Sequence, residues 1–190
     1  MEKIRLEPTL ALPMPVTLVG AMVEGKPNFM AAAWVTRVNV KPPLIGVAVN
    51  HRQYTGQGIR ETGIFSLCLP GPDAVAKTDY CGLVSGRKVD KAALFDVFYG
   101  ELKTAPMIRE CPLCLEVRLT QTVELPVDNF YIGEIVAGWA DAAILTDGAP
   151  DVTKYRPLVL TMPDNRYWSL GESVADAWSV GKVFKKGESE

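Results

Sequence analysis

The sequence predicts a mainly β protein, an antiparallel barrel closed or nearly closed on itself, with a few short helices. Three observations lead there. At least six runs have the length and composition of strands. Short intervals rich in Gly, Pro and Asp separate them. One long run, Leu115–Leu125, alternates apolar and polar residues with period two, the pattern of a half-buried antiparallel strand. Closure would remove the exposed edges that so much sheet otherwise carries.

The elements follow in order. Val16–Val23 is rich in β-formers and ends at the turn signal Glu24-Gly25-Lys26-Pro27, so it should form a hairpin with the next run, Phe29–Val35. Asn39–Pro43 is a break, because two prolines cannot sit inside a ladder. Leu44–Val49 is continuously apolar, suited to a strand buried on both faces. Thr55–Thr62 predicts a short helix with Thr55 capping its start and Gly63 ending it, although Gly56 and Gly58 weaken it. Ile64–Leu69 reads as a strand. Asp73–Leu83 predicts a second helix with Asp73 near its N-cap, and Ser85–Lys91 a loop. In Leu115–Leu125, Leu115, Val117, Leu119, Val123 and Leu125 should share one face. Tyr131–Ala140 is the expected partner strand, with Pro126–Phe130 as the connection.

Length and composition bound the function. The 190 residues suit one domain over 1–190, with 1–10 and 185–190 as flexible tails. A net charge of −2 with scattered cations argues against a nucleic-acid binder. No apolar run reaches the roughly 20 residues of a membrane helix, and the N-terminus lacks an apolar signal core. The cytoplasm follows by elimination. There Cys68, Cys81, Cys111 and Cys114 are expected as thiols. Cys111 and Cys114 have C-x-x-C spacing but lead into a strand rather than a helix. They read as small apolar residues at a strand entrance.

Standard catalytic signatures are absent: no P-loop, no G-x-G-x-x-G after a strand, no nucleophile elbow, no H-E-x-x-H. His51 is the sole histidine, which rules out a multi-histidine metal site. Any hard chemistry would therefore come from a cofactor. Three segments look like parts of a site. In Asn28–Trp34, small residues at 31, 32 and 33 let a flat ligand approach the backbone, between an amide and a large ring. The alternative is a tightly packed strand. In Asn50–Thr55, an Arg, a Thr hydroxyl and free helix N–H groups suit a phosphate; the alternative is a polar loop with a cap. In Asp79–Lys91, the Ser85-Gly86 turn can aim amides at an anion, with Arg87 and Lys91 adding charge. The alternative is an ordinary helix-ending loop.

The order and spacing of these segments resemble the flavin reductase-like, FMN-binding split-barrel family, and within it the flavoredoxin group. The matching residues are Asn28-x-Met30-Ala31-Ala32-Ala33-Trp34, Lys41-Pro42-Pro43 and Asn50-x-Arg52-x-Tyr54-Thr55. They continue with Ile59-x-x-Thr62-Gly63-x-Phe65, Asp79-Tyr80-Cys81-Gly82-x-x-Ser85-Gly86 and Asp90-Lys91. Phe130-Tyr131-Ile132-Gly133-Glu134-Ile135 and Tyr167-Trp168-x-Leu170-Gly171-Glu172 complete the set. The resemblance spans roughly residues 10 to 185.

The resemblance implies a split barrel that binds FMN as a homodimer. Asn28, the Ala31–Trp34 backbone and Trp34 would line the isoalloxazine ring. Arg52, Thr55, Ser85 and Lys91 would hold the phosphate. Asn129, in the connecting loop, and Tyr167 and Trp168 would approach the cofactor. Met30, Ala32, Ala33, Asn50, His51, Cys81 and Gly86, from the same motifs, complete the candidate set. Two positions depart from the pattern: Ala92 stands where a phenylalanine often follows the Asp-Lys pair, and Asn129 replaces a commoner histidine. The flavin itself would carry the chemistry, with no catalytic side chain. The expected function is electron transfer through bound FMN, as in a flavoredoxin. Two alternatives are an NAD(P)H-dependent flavin or ferric reductase and a non-catalytic flavin-binding module. NAD(P)H or a redox protein would be the partner, and the lack of a nicotinamide-binding fingerprint leans towards the carrier.

Overall fold

The computed structural model describes residues 1–7 and 12–185. Seven antiparallel strands form the main sheet: β1 (Thr17–Val23), β2 (Lys26–Ala32), β3 (Val35–Asn39), β4 (Leu44–Asn50), β5 (Ile64–Leu69), β6 (Leu113–Glu124) and β7 (Asp128–Ala140). Their order is β2-β1-β5-β6-β7-β4-β3. The edge strands β2 and β3 are therefore at opposite ends of the sheet, yet only Ala33 and Trp34 separate them in sequence. Three Cα steps span at most about 11 Å, so the edges must meet and the sheet must curl round. One core fills the curl, with Met30 and Ala32 from one edge strand and Val47, Val49, Phe65, Val117 and Tyr131 from across the sheet. This is a mainly β split barrel, with a seam at Ala33–Trp34.

The β1–β2 hairpin turns at Glu24-Gly25, with φ of 51° and 78°, and Val23 faces Lys26. Two left-handed residues make the tight turn whose twist matches the strands. Between β4 and β5 lies helix α1 (Tyr54–Thr62), ended by Gly63 at φ 65°. Gln53, not Thr55, is the N-cap, and no side chain caps this end. Thr55 sits one residue inside the helix and is buried. Helix α2 (Val75–Leu83) follows β5, preceded by a 3-10 turn, Pro72–Ala74. Asp73 lies in that turn rather than at the α-helical cap.

An outer layer, residues 84–112, packs on the sheet face opposite the barrel interior. Leu18, Phe29, Cys68 and Cys114 project into it from the strands, and Ala92, Met107, Ile108 and Cys111 meet them. Beyond β7, a small antiparallel sheet joins Met14–Pro15 to β8 (Leu158–Thr161) and β9 (Arg166–Ser169).

Several expectations need correction. The second run stops at Ala32, and Val35 opens β3 on the other edge. The connection between β6 and β7 is only Leu125–Val127, so Asn129 and Phe130 are strand residues, not loop residues. The alternation of β6 does not persist. Leu119 faces Gly133 and Gln121 faces Ile132, leaving Thr120 as a bulge. One extra residue reverses the facing of all that follow. Thr122 is therefore opposite the inward Tyr131, and Val123 is opposite Phe130 on the other face. Among the expected tails, residues 1–7 are exposed and without regular structure. Residues 8–10 and 186–190 lie outside the described residues.

Candidate functional site

Strand β2 carries two distinct surfaces, one at each end. Its first residues border a cavity of about 310 Å³ shared with Glu24, Tyr54 and the loop Gly86–Lys91. Asn28 is buried there, and its Nδ2 donates to Thr55 Oγ1 at 2.7 Å. This hydrogen bond ties β2 to the first turn of α1. Gly86 lies against the same amide: a Cβ on it would come within 2.0 Å of Asn28 Oδ1. Only a residue without a side chain fits.

Lys91 is the buried cation of this cavity, 3% exposed. Its Nζ donates to the carbonyls of Cys81 at 3.0 Å and Val84 at 3.1 Å. The ammonium thus sits on the C-terminal end of α2, where the helix leaves carbonyls unpaired. Among the described residues no carboxylate lies within ion-pair distance of it. Burial lowers its pKa from the ordinary lysine value, against the opposing pull of Cys81. The Cys81 thiol is in turn pushed up by burial, partly countered by Lys91. Lys26, Arg87 and Lys88 add charge at the rim. Arg87 lies over the Tyr54 ring at 4.6 Å and donates to Gln57. Ser85 organises the loop: its Oγ accepts from Arg87 N, and its carbonyl accepts from Lys88 N.

The far end of β2 is apolar. Ala33 and Trp34 line an open trough of about 720 Å³ with Leu12, Met14, Val35, Ala48 and Phe130. Trp34 is 47% exposed, and its carbonyl accepts from Ala48 N at 3.0 Å, pinning the seam to β4. Asn28 to Ala32, the last residue of β2, is four strand steps, about 13 Å, and Ala33 follows at once.

The remaining candidates are spread around these surfaces. Met30 and Ala32 point into the barrel core, while Ala31 points outwards towards Gly82 of α2. Small size therefore serves packing on both faces as well as close approach. Asn50 Oδ1 accepts from Arg52 N at 3.0 Å, and His51 N donates to Val127 O. The side chains of His51 and Arg52 are exposed near the uncapped start of α1. Asn129 points into the barrel and donates to Tyr131 Oη at 3.2 Å. That hydroxyl also receives Arg60 and donates to Gly56 O, anchoring α1. Tyr167 donates to Asp79 on α2 at 2.8 Å, and burial with this hydrogen bond pushes its pKa up to about 12. Trp168 is half exposed and donates to Thr161 Oγ1.

The structure thus brings Asn28, Thr55, Gly86 and Lys91 together and holds Ala33 and Trp34 apart from them, just past the other end of β2. Two rings that line these surfaces, Tyr54 and Phe130, stand in the matching motifs but are not among the candidate site residues. Tyr54 directly precedes the candidate Thr55, and the turn-like residues before Phe130 disguise it as part of a loop.

The fold is shared. A family model described as a flavin reductase like domain matches residues 9–162. The chain belongs to the flavin reductase-like family. Its function is accordingly flavin-related and oxidoreductive. The crystal structure of flavoredoxin from Methanosarcina acetivorans is 54% identical, with a TM-score of 0.94 over 97% of this chain and 100% of that one. Flavoredoxin of Desulfovibrio vulgaris (Miyazaki F) is 35% identical, with a TM-score of 0.89 over 96% of this chain and 100% of that one. An uncharacterized protein of Archaeoglobus fulgidus is 34% identical over 143 residues, 74% of this chain and 79% of its own. No helix among the described residues is long and apolar enough to cross a membrane.

Proposed function

We propose that this family member binds FMN along β2 and transfers electrons through it, as a flavoredoxin-like carrier. The observation that supports the reading is Lys91: a buried ammonium with no carboxylate partner among the described residues, beside a glycine cradle and an uncapped helix start. A buried cation favours an anionic ligand, and free helix N–H groups favour the same. Phosphate would be held by Lys91, Thr55, Ser85 and the start of α1, with Arg52 closing over it. Asn28 fixes Thr55 for that role. The isoalloxazine ring would lie towards Ala33 and Trp34, against backbone that small side chains leave accessible. Bound FMN supplies hydride or single-electron exchange; the protein's own residues position it and set its electrostatics.

The trough by Trp34 is open and apolar, so a second copy of the chain would cover it in a homodimer. The electron partner would be a redox protein or NAD(P)H, in the cytoplasm. The absorbance spectrum of the purified protein tests the cofactor: flavin bands that survive desalting support it, and a colourless protein that gains none with added FMN refutes it. Anaerobic addition of NADH and NADPH then separates the two oxidoreductase roles. Slow bleaching supports the carrier, and rapid turnover with free FMN supports a reductase.

A further inference from the structure

The stretch Gly171–Phe184 is an arm without a seat on its own protomer. Every one of its residues is exposed. Large apolar side chains are among them: Val174 is 99% exposed, Trp178 94% and Phe184 90%, with Val180 and Val183 close by. Single exposed apolar residues are ordinary on a protein surface. This many in one short stretch mark a surface that another molecule covers.

The arm nevertheless has a definite shape. Ser179 N and Val180 N both donate to Asp176 O, Lys182 N donates to Ser179 O, and a 3-10 turn spans Val180–Lys185. Trp178, between them, has φ 56°. A bulky residue in the left-handed region is costly and persists only where its surroundings hold it. Among the described residues, no hydrogen bond joins the arm to the rest of the chain. The support must therefore come from outside the protomer.

The start of the arm points to where it goes. β9 ends at Ser169, opposite Leu158, and Leu158 O accepts from Val16 N. Met14 and Pro15, just before Val16, form a wall of the apolar trough that Ala33 and Trp34 also line. β9 is two strands from that wall, about 10 Å. In a two-fold contact each protomer offers the same patch, so both arms start beside the shared face. The segment Gly171–Phe184 extends at most about 50 Å, enough to cross it.

We propose that two copies of the chain exchange these arms: Gly171–Phe184 of each lies over the partner's trough at Ala33–Trp34, with Trp178 and Phe184 as its apolar anchors. The exchange rests on the homodimer reading above and needs no cofactor to form. It covers two apolar surfaces, trough and arm, that one protomer leaves bare. The partner's arm would then roof the ring proposed to lie towards Trp34, so each flavin site is complete only in the dimer.

Photocrosslinking of the full-length protein tests the exchange. With benzoylphenylalanine in place of Trp178, illumination should give a covalent dimer on a denaturing gel, and peptide mapping should join position 178 to residues 12–15 or 33–36. Sedimentation equilibrium gives a second readout. A chain ended at Leu170, and Trp178→Glu combined with Phe184→Glu, should each raise the dimer dissociation constant at least a hundredfold. Interchain crosslinks in a protein that binds no FMN would support the exchange and refute the cofactor alone. A wild-type dimer whose crosslinks stay within one chain, or a shortened chain that dimerises as tightly as the wild type, would overturn the exchange and leave the dimer standing. A monomeric wild type would overturn both. The crosslink at position 178 decides if the shortened or charged chain fails to fold.

Discussion

The two ends of β2 solve opposite problems with one strand. At the Asn28 end every group is fixed before any ligand arrives: the amide is tied to Thr55, Gly86 is pressed against it, and Lys91 is seated on two carbonyls. At the Ala33–Trp34 end the surface is apolar, open and bordered by an exposed ring. A buried charge demands rigid, complete hydrogen bonding, because an unmet polar group inside a protein is costly. A flat apolar surface demands only room and area. The polar end should therefore be brittle to substitution and the apolar end tolerant.

Gly86→Ala is the most severe probe of that contrast. Its Cβ would overlap Asn28 Oδ1, and Asn28 cannot yield without releasing Thr55. Equilibrium binding followed by flavin fluorescence should show FMN affinity reduced by a hundredfold or more. Lys91→Met keeps the apolar stem and removes the charge. Loss of one charge-assisted contact of about 1.5–3 kcal/mol predicts a ten- to hundredfold fall in affinity. The same change frees the Cys81 and Val84 carbonyls, so the midpoint of chemical denaturation should fall as well. Trp34→Ala should cost only about fivefold in affinity, the value of roughly 1 kcal/mol of aromatic contact, with little change in stability.

The smallest effect expected is on pH. The folded pKa of Lys91 lies below its unfolded value, because burial disfavours the charge. Between the folded value and the ordinary lysine range, the unfolded chain binds more protons than the folded one. Stability of the FMN-free protein should therefore rise with pH through that window. FMN retention should fall through the same window as the ammonium is lost. In Lys91→Met both slopes should flatten, which denaturant titrations at several alkaline pH values would measure.

How much of this can be read from the chain differs between the two ends. The first hairpin is legible because Glu24-Gly25 sits between two clear β runs. The proposal that residues 50–55 and 85–91 hold an anion starts from their residue types. Thr55 belongs to the segment the sequence points to, but it does not cap the helix. Its hydroxyl serves Asn28, a partner 27 residues away that no local pattern reveals. β3 escapes sequence reasoning because it is an edge strand with most of its residues exposed, so no alternation marks it. The bulge at Thr120 is invisible because the polar residues after it are as common inside a barrel mouth as outside one. Asn129 is hard to place for a related reason: Pro126 and Asp128 look like turn residues, yet the turn is only three residues long.

The most direct measurement compares FMN with riboflavin, which has the same ring and no phosphate, in the wild type and in Lys91→Met. If Lys91 anchors the phosphate, the wild type binds FMN at least tenfold more tightly than riboflavin. Lys91→Met then removes most of this gap while leaving riboflavin affinity nearly unchanged. Equal affinities for the two ligands in the wild type, or a gap that survives intact in Lys91→Met, would contradict that anchoring.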